Sequence, residues 1–256
     1  NKEVFDRLIY KAVMATRGSD LNDQEVDPQV VEDAFGGGLN QSLEWVNVTF
    51  EISGVSRGVT HELVRTRQAS YAQQSMRHTD MGIPDMRMPE GIAAAPIDAQ
   101  IVWMDSVDAA RSAYRELVDM DLEFQDARTV LPIATETYII CNYPLKVFMD
   151  TFAYRACSMF YPEIVELFRE MRTVLLMVCP WLEPFVKISC EKTAPQTRLL
   201  PAGQGIPAGA LVNIEQGTVT YAHACTYQGW EKVEGHCGFA WAKENNRVWK
   251  SKVFDS

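Results

Sequence analysis

The chain has 256 residues, with 24 Lys and Arg against 34 Asp and Glu, a formal charge of −10, 47% hydrophobic and 23% charged residues. That length fits one sizeable domain, or one domain with a small appendage, and the near-average composition excludes wholesale disorder. No apolar run approaches the ~20 residues that span a bilayer, and the acidic total excludes a general nucleic-acid coat, so any anion site must be a local arginine cluster.

Residues 4–17 place apolar side chains at helical spacing and end near Gly18. The polar run Ser19 to Asp23 can cap a second helix over about 24–35, and Gly36-Gly37-Gly38 breaks the chain after it. Val46 to Ile52 alternates as a half-buried strand, and Ser56 can cap a short helix through Arg65. Residues 66–78 show no apolar periodicity and read as a loop. Pro84, Pro89 and Pro96 punctuate a long connection before a strong helix over 97–125. Thr137 to Cys141 reads as a strand, and a further helix runs over about 145–178, with Pro162 kinking it or breaking it in two. After Lys187 the texture changes to Gly/Pro-rich turns and short β-type runs, so 191–256 reads as a small β-rich appendage.

The first residues, Asn1 to Asp6, carry acids where a secretory signal needs a basic stretch. The six cysteines include no CxxC pair. Reduced, mostly buried thiols of a cytoplasmic protein are the expectation, with no membrane segment. His223, Cys225, His236 and Cys237 are zinc-like in composition, but their spacing lacks a CxxC knuckle, which leaves ordinary packing as the reading and no metal site.

The arginine cluster that the charge balance calls for lies at 61–78. Between residues 63 and 79 there are three arginines (Arg65, Arg67, Arg77), two serines, three glutamines and no Asp or Glu. Arginine presents a rigid fork of donors that matches phosphate, serine adds a hydroxyl, and glutamine offers donor and acceptor together, as a nucleobase edge requires. An unneutralised positive segment in an acidic chain points to an anion site rather than a solvated loop.

Arg65-x-Arg67 followed by seven residues and Ser75 resembles the signature of the flavin-dependent thymidylate synthases (ThyX). Phe50 to Arg57 and His61 to Arg65 are similar to the strand and helix that lead into it. Ala127-Arg128-Thr-Val-Leu-Pro132 with Ala134-Thr135-Glu136 resembles the family's second motif, and Arg155-Ala156 with Glu163-Ile164 its third. The resemblance covers roughly 40–165 and leaves 191–256 outside.

That resemblance implies an α+β, ThyX-like fold, with an antiparallel sheet packed with long helices, over 1–190. It implies a homotetramer with shared active sites that binds FAD, dUMP, methylenetetrahydrofolate and NADPH and converts dUMP to dTMP. Ser75, Arg77 and Arg128 would hold the nucleotide phosphate, Gln73 and Glu62 would help seat the nucleotide, and Arg155 would contact the uracil and stabilise charge as C5 attacks. Arg65 and Arg67 would bridge nucleotide and flavin. Thr66, Gln41, Lys146 and Asp150 complete the implied cofactor side, although Asp150 reads equally as an exposed helical acid. The flavin brings the hydride, so no protein nucleophile is required.

Several positions depart from the family pattern. The middle histidine of its Arg-His-Arg is Thr66 here, Leu39, Trp45 and Met159 stand where histidines are usual, Pro144 replaces Asn, and Lys146 replaces Arg. These departures fall on the flavin and folate side, whereas the nucleotide-side arginines and serine remain. A related C5-modifying enzyme such as a pyrimidine-nucleotide hydroxymethylase, and a catalytically silent nucleotide-binding subunit, are the alternatives. Glu163, next to Pro162, reads as the charge at a helix start, and His61 as a packed polar residue.

Overall fold

The computed structural model describes residues 1–18, 25–36, 39–157 and 160–188, and beyond them the backbone at 196–199, 210–213 and 218–221. Met159, Gly37, Gly38, Cys190 and the candidate zinc residues lie outside the described residues. Two compact units divide the chain, one formed by Asn1–Phe148 with Pro162–Ile164, the other by Met149–Tyr161 with Val165–Ser256.

In the first unit, α1 (Lys2–Thr16) starts at Asn1, whose side chain accepts from the Val4 amide. It packs against α2 (Pro28–Gly36), with the Phe5 and Phe35 rings 6.1 Å apart and Ile9, Val13, Val31 and Ala34 buried. A tight helical turn, Asn40–Trp45, leads into β1 (Asn47–Ser56).

β1 pairs antiparallel with β3 (Glu136–Pro144), and β3 pairs antiparallel with β2 (Ser70–Gln73), so the sheet order is β1-β3-β2. Phe50, Cys141 and Tyr71 stand in line across the three strands. Phe50, Ile52, Ile139, Cys141 and Tyr143 are buried, while Thr49, Glu51, Ile140 and Ala72, on the alternate positions, are exposed. This is the amphipathic alternation expected of an antiparallel sheet. Phe148, fully buried, closes the apolar face, its ring 5.2 Å from Phe50 and 6.0 Å from Tyr143. Burying such a ring contributes about 2–3 kcal/mol.

β2 corrects the expectation of a loop over 66–78. A four-residue edge strand with only Tyr71 and Gln73 turned inward carries too few apolar residues to be seen by periodicity, and it exists because β3 offers a ladder. β1 runs past the expected end at Ile52 through a bulge between Ile52 and Val55, where Gly54 takes φ +69°.

Ser56 caps α3 (Arg57–Leu63) as expected, its hydroxyl accepting from the Val59 amide at 3.1 Å. The short α4 (Glu90–Ala93) precedes α5 (Ile97–Asp119). α5 stops short of the expected residue 125: Glu116, Asp119, Asp121 and Glu123 gather at the end where the helix dipole disfavours anions, and Asp121 turns to φ 61°. The chain then forms α6 (Phe124–Ala127) and a tight turn at Arg128–Val130. The 145–178 helix is broken rather than kinked, into α7 (Leu145–Arg155) and α8 (Pro162–Val178), with Pro162 at the first turn, where its missing N–H costs nothing.

In the second unit, Phe168, Met171, Leu175, Leu182 and Val186 are buried, and Arg172 Nε donates to the Val186 carbonyl at 2.8 Å. Further along, β4 (Gln196–Leu199), β5 (Ala210–Asn213) and β6 (Thr218–Tyr221) form an antiparallel sheet in the order β4-β6-β5. No helix among the described residues is long and apolar enough to cross a membrane.

Cys141, Cys157 and Cys179 are free thiols. Burial pushes the Cys141 thiol from 9.0 up to about 12, because the interior disfavours a thiolate. A raised folded-state value means this group favours the fold below pH 9 and withdraws that support as pH climbs toward 12. Native protein at pH 8 is therefore expected to leave Cys141 unlabelled by iodoacetamide and to label it fully in guanidinium, as read by peptide mass.

Candidate functional site

The first unit assembles its site from the β1–α3 junction, the segment after α3, and the α6 region. Arg57 is the first residue of α3, a position where the helix dipole disfavours a cation unless something else uses it. Its Nη1 donates to the Gln74 carbonyl and to Thr137 Oγ1, both at 3.4 Å. Burial, and then the charge of Arg128, lower the Arg57 pKa from its usual value.

Successive turns follow α3, with Arg65 N on the Glu62 carbonyl at 3.1 Å, Thr66 N on that of Leu63 at 3.2 Å and Ala69 N on that of Thr66 at 3.2 Å. Arg65 and Arg67 are exposed, and Thr66 between them is buried. β2 then carries the chain along β3, and the Gln74 amide extends the pairing to the Tyr138 carbonyl at 2.9 Å. Met76 is buried and anchors the next turn, which leaves Ser75 and Arg77 exposed on either side. Ser75 Oγ accepts from the Arg77 amide at 3.3 Å.

Gln125 on α6 joins two arginines. Arg77 Nη2 donates to its side-chain Oε1 at 3.4 Å, and Arg128 Nε donates to its backbone carbonyl at 3.2 Å. Arg57, Arg77 and Arg128 thus converge beside Ser75, and among the described residues none of the three pairs with a carboxylate. Three other arginines of the unit are neutralised: Arg87 by Glu163 at 3.3 Å, Arg111 by Asp108 at 3.1 Å, Arg115 by Asp80 at 3.1 Å and Asp119 at 2.8 Å. Uncompensated cations sharing one spot repel, so the arrangement stores affinity for an anion.

Gln73 is turned inward, its amide nitrogen donating to Thr60 Oγ1 at 2.9 Å and to Thr137 Oγ1 at 3.4 Å. Glu62 is half-buried on α3, Gln41 is exposed on the turn before β1, and Lys146 is half-buried in the first turn of α7. In the second unit, Asp150 is exposed on α7. Arg155 ends that helix with its guanidinium 5.5 Å from the Tyr154 ring centroid and 5.4 Å from that of Phe160, a cation–π sandwich that orients it.

Four residues change assignment. Arg57 and Gln125 join the candidate site, and the signal for Arg57 was a cation placed at a capped helix start. Glu163 is more than a helix-start charge: only 8% exposed, its carboxylate accepts from the Ser56 amide and hydroxyl, each at 2.7 Å, and pairs with Arg87. His61 is exposed rather than packed.

Residues 3–181 match the family described as thymidylate synthase complementing protein, Thy1. The chain belongs to the Thy1 family. The ThyX-type motifs at 50–77, 127–136 and 155–164 all lie inside this span. The Thy1 chain is 38% identical over 146 residues to a protein of Geobacter sulfurreducens named flavin-dependent thymidylate synthase, covering 56% of this chain and 62% of that one. It is 28% identical over 201 residues to a Clostridium tetani protein of the same name, covering 72% of this chain and 80% of the relative. The Geobacter match thus spans under two thirds of that relative's length. In fold, the Thy1 chain is similar to the UMP/dUMP methylase PolB from Streptomyces cacaoi, solved with 5-Br dUMP, at a TM-score of 0.55 and 19% identity over 67% of this chain and 85% of that one. The α+β architecture with its antiparallel sheet agrees with that likeness.

Proposed function

We propose that this chain is a flavin-dependent thymidylate synthase that binds dUMP and methylates its C5, with methylenetetrahydrofolate and NADPH as co-substrates and FAD as cofactor. The observation that carries the reading is the convergence of Arg57, Arg77 and Arg128 beside Ser75, with no carboxylate paired to them among the described residues, a donor set suited to a phosphomonoester dianion. The relatives named flavin-dependent thymidylate synthase and the dUMP-analogue-bound neighbour support the nucleotide and the reaction.

Ser75, Arg57, Arg77 and Arg128 hold the phosphate, and Gln73 and Glu62 support the seat from the β2 and α3 side. By its place in the third motif, Arg155, ordered by Tyr154 and Phe160, is the guanidinium for the uracil carbonyl, where it favours the enolate-like form that makes C5 nucleophilic. The flavin group suits the donors present: exposed Arg65 and Arg67 match its anionic pyrophosphate, with Gln41, Lys146 and Asp150 as further contacts. When bound, the flavin supplies the hydride that completes the methyl group. Shared sites in a cytoplasmic homotetramer are part of this proposal, as is the division into 1–190 and an extension at 191–256; the end of the family match at residue 181 supports the latter.

Isothermal titration with dUMP and with deoxyuridine tests the reading: dUMP binding with at least about a hundredfold loss for the nucleoside is expected, the scale of several charge-assisted bonds. Equal binding of the two overturns it. Mass analysis after incubation with FAD, NADPH and methylenetetrahydrofolate then separates a methyl from a hydroxymethyl product, and binding without turnover identifies a silent nucleotide-binding subunit. Arg155→Ala is expected to cut turnover about 100-fold, measured as dTMP formed per minute with dUMP saturating.

A further inference from the structure

The turn that presents Arg65 and Arg67 rests on a run of hydroxyl groups. Tyr71 of β2 places its hydroxyl 2.8 Å from the Leu63 carbonyl, 3.1 Å from the Thr66 carbonyl and 3.0 Å from the Tyr143 hydroxyl of β3. The two rings meet edge to face with centroids 6.0 Å apart, and Tyr143 is fully buried. Thr66 is buried although both neighbours in sequence are exposed.

The donor inventory orders these bonds. Carbonyls only accept, so the Tyr71 proton goes to Leu63 and Thr66, and Tyr143 then donates to Tyr71. The run starts at the buried Tyr143 and ends on the backbone of the turn, at the Leu63 and Thr66 carbonyls. Burial, reinforced by the Tyr71 hydroxyl, drives the Tyr143 pKa far above the ordinary phenol value, so the donor stays protonated at any working pH. Thr66 is thus buried where the ThyX pattern usually has a histidine, while the arginines on either side of it are exposed.

We propose that Thr66, Tyr71 and Tyr143 are positioning residues for Arg65 and Arg67: residue 66 secures the inside of the turn, and the hydroxyl run holds the two guanidiniums in the spacing that grips an anionic cofactor. The inference rests on the flavin-binding part of the proposed function, and it departs from the expectation that Thr66 itself touches the cofactor.

Tyr71→Phe, Tyr143→Phe and Thr66→Val each remove one hydroxyl at nearly constant volume in the full chain. Trypsin reads the turn directly, because Arg65 and Arg67 are its cleavage points, with exposed Arg7 and Arg17 as internal references. Cleavage after Arg65 and Arg67, relative to the references, is expected to rise about fivefold in Tyr71→Phe, the scale of one hydrogen bond. The FAD dissociation constant, from a fluorescence titration, is expected to rise by about the same factor. Thr66→His is expected to speed cleavage and weaken FAD binding, since an imidazole overfills a buried site. Tighter FAD binding by Thr66→His overturns the inference. So does unchanged relative cleavage in Tyr71→Phe, or faster cleavage with unaltered FAD affinity. If the unaltered chain takes up no FAD, the flavin part of the proposed function fails, while the cleavage ratio still decides whether the hydroxyl run holds the turn.

Discussion

Glu163→Ala is expected to cost about 2–3 kcal/mol of stability, the scale of losing a buried carboxylate's charge-assisted hydrogen bonds. The carboxylate accepts three hydrogens, from the Ser56 amide, the Ser56 hydroxyl and Arg87, inside a site that leaves it 8% exposed. Alanine would strand the buried Ser56 amide and remove the charge partner of Arg87, whose side chain is 35% exposed and can rehydrate. The damage also spreads. Ser56 caps α3, and Arg87 Nη1 donates to the Gly54 carbonyl at 3.1 Å in the bulge of β1, so one carboxylate steadies both the bulge and the helix start that places Arg57. For a domain of this size the loss corresponds to about 10 °C in the melting temperature, read by circular dichroism. Ser56→Ala, which removes only the cap and one bond to the carboxylate, is expected to cost about 1–2 kcal/mol. Equal melting temperatures for Glu163→Ala and the unaltered chain would show that the network contributes nothing.

Arg128→Ala is expected to act in the opposite sense on stability and on binding. In the ligand-free chain Arg128 lies close enough to depress the pKa of Arg57, so the two cations repel, and removing one relieves that repulsion. The melting temperature should therefore stay level or rise slightly. The dUMP dissociation constant should increase about 10- to 100-fold, the range for losing one charge-assisted pair to phosphate. The same change should flatten the dependence of affinity on ionic strength, since one screened attraction has gone. A residue that merely props the fold would lower stability and affinity together. Unchanged dUMP affinity in Arg128→Ala would remove this arginine from the phosphate site.

The parts of the fold legible in the sequence were those in which local chemistry and tertiary demand agree. Lys2–Thr16 is visible through its apolar spacing and Arg57–Leu63 through its Ser56 cap. Asn47–Ser56 and Glu136–Pro144 were visible through β-branched alternation, although both run beyond the expected limits. Ser70–Gln73 was not, because its pairing comes from β3 and not from its own composition. Apolar spacing alone overextends α5, because the acids gathered from Glu116 onward end the helix. At the site, the acid-free stretch in an acidic chain located Ser75 and Arg77, and the second motif supplied Arg128. Arg57 and Gln125 were passed over because neither residue type is diagnostic alone.

By itself, then, the sequence determined which residues could bind an anion, through charge contrast and motif order that survive without any fold. Only the tertiary structure decided how those residues are used. It brought Arg57, Arg77 and Arg128 together around Gln125 across 71 positions of sequence. It turned Thr66 inward and moved Glu163 from a helix start to the anchor of Ser56 and Arg87. The physical reason is common to all three. Repulsion between like charges, burial of a hydroxyl and pairing of a carboxylate depend on distance and on exclusion of water, and neither quantity exists until the chain has folded.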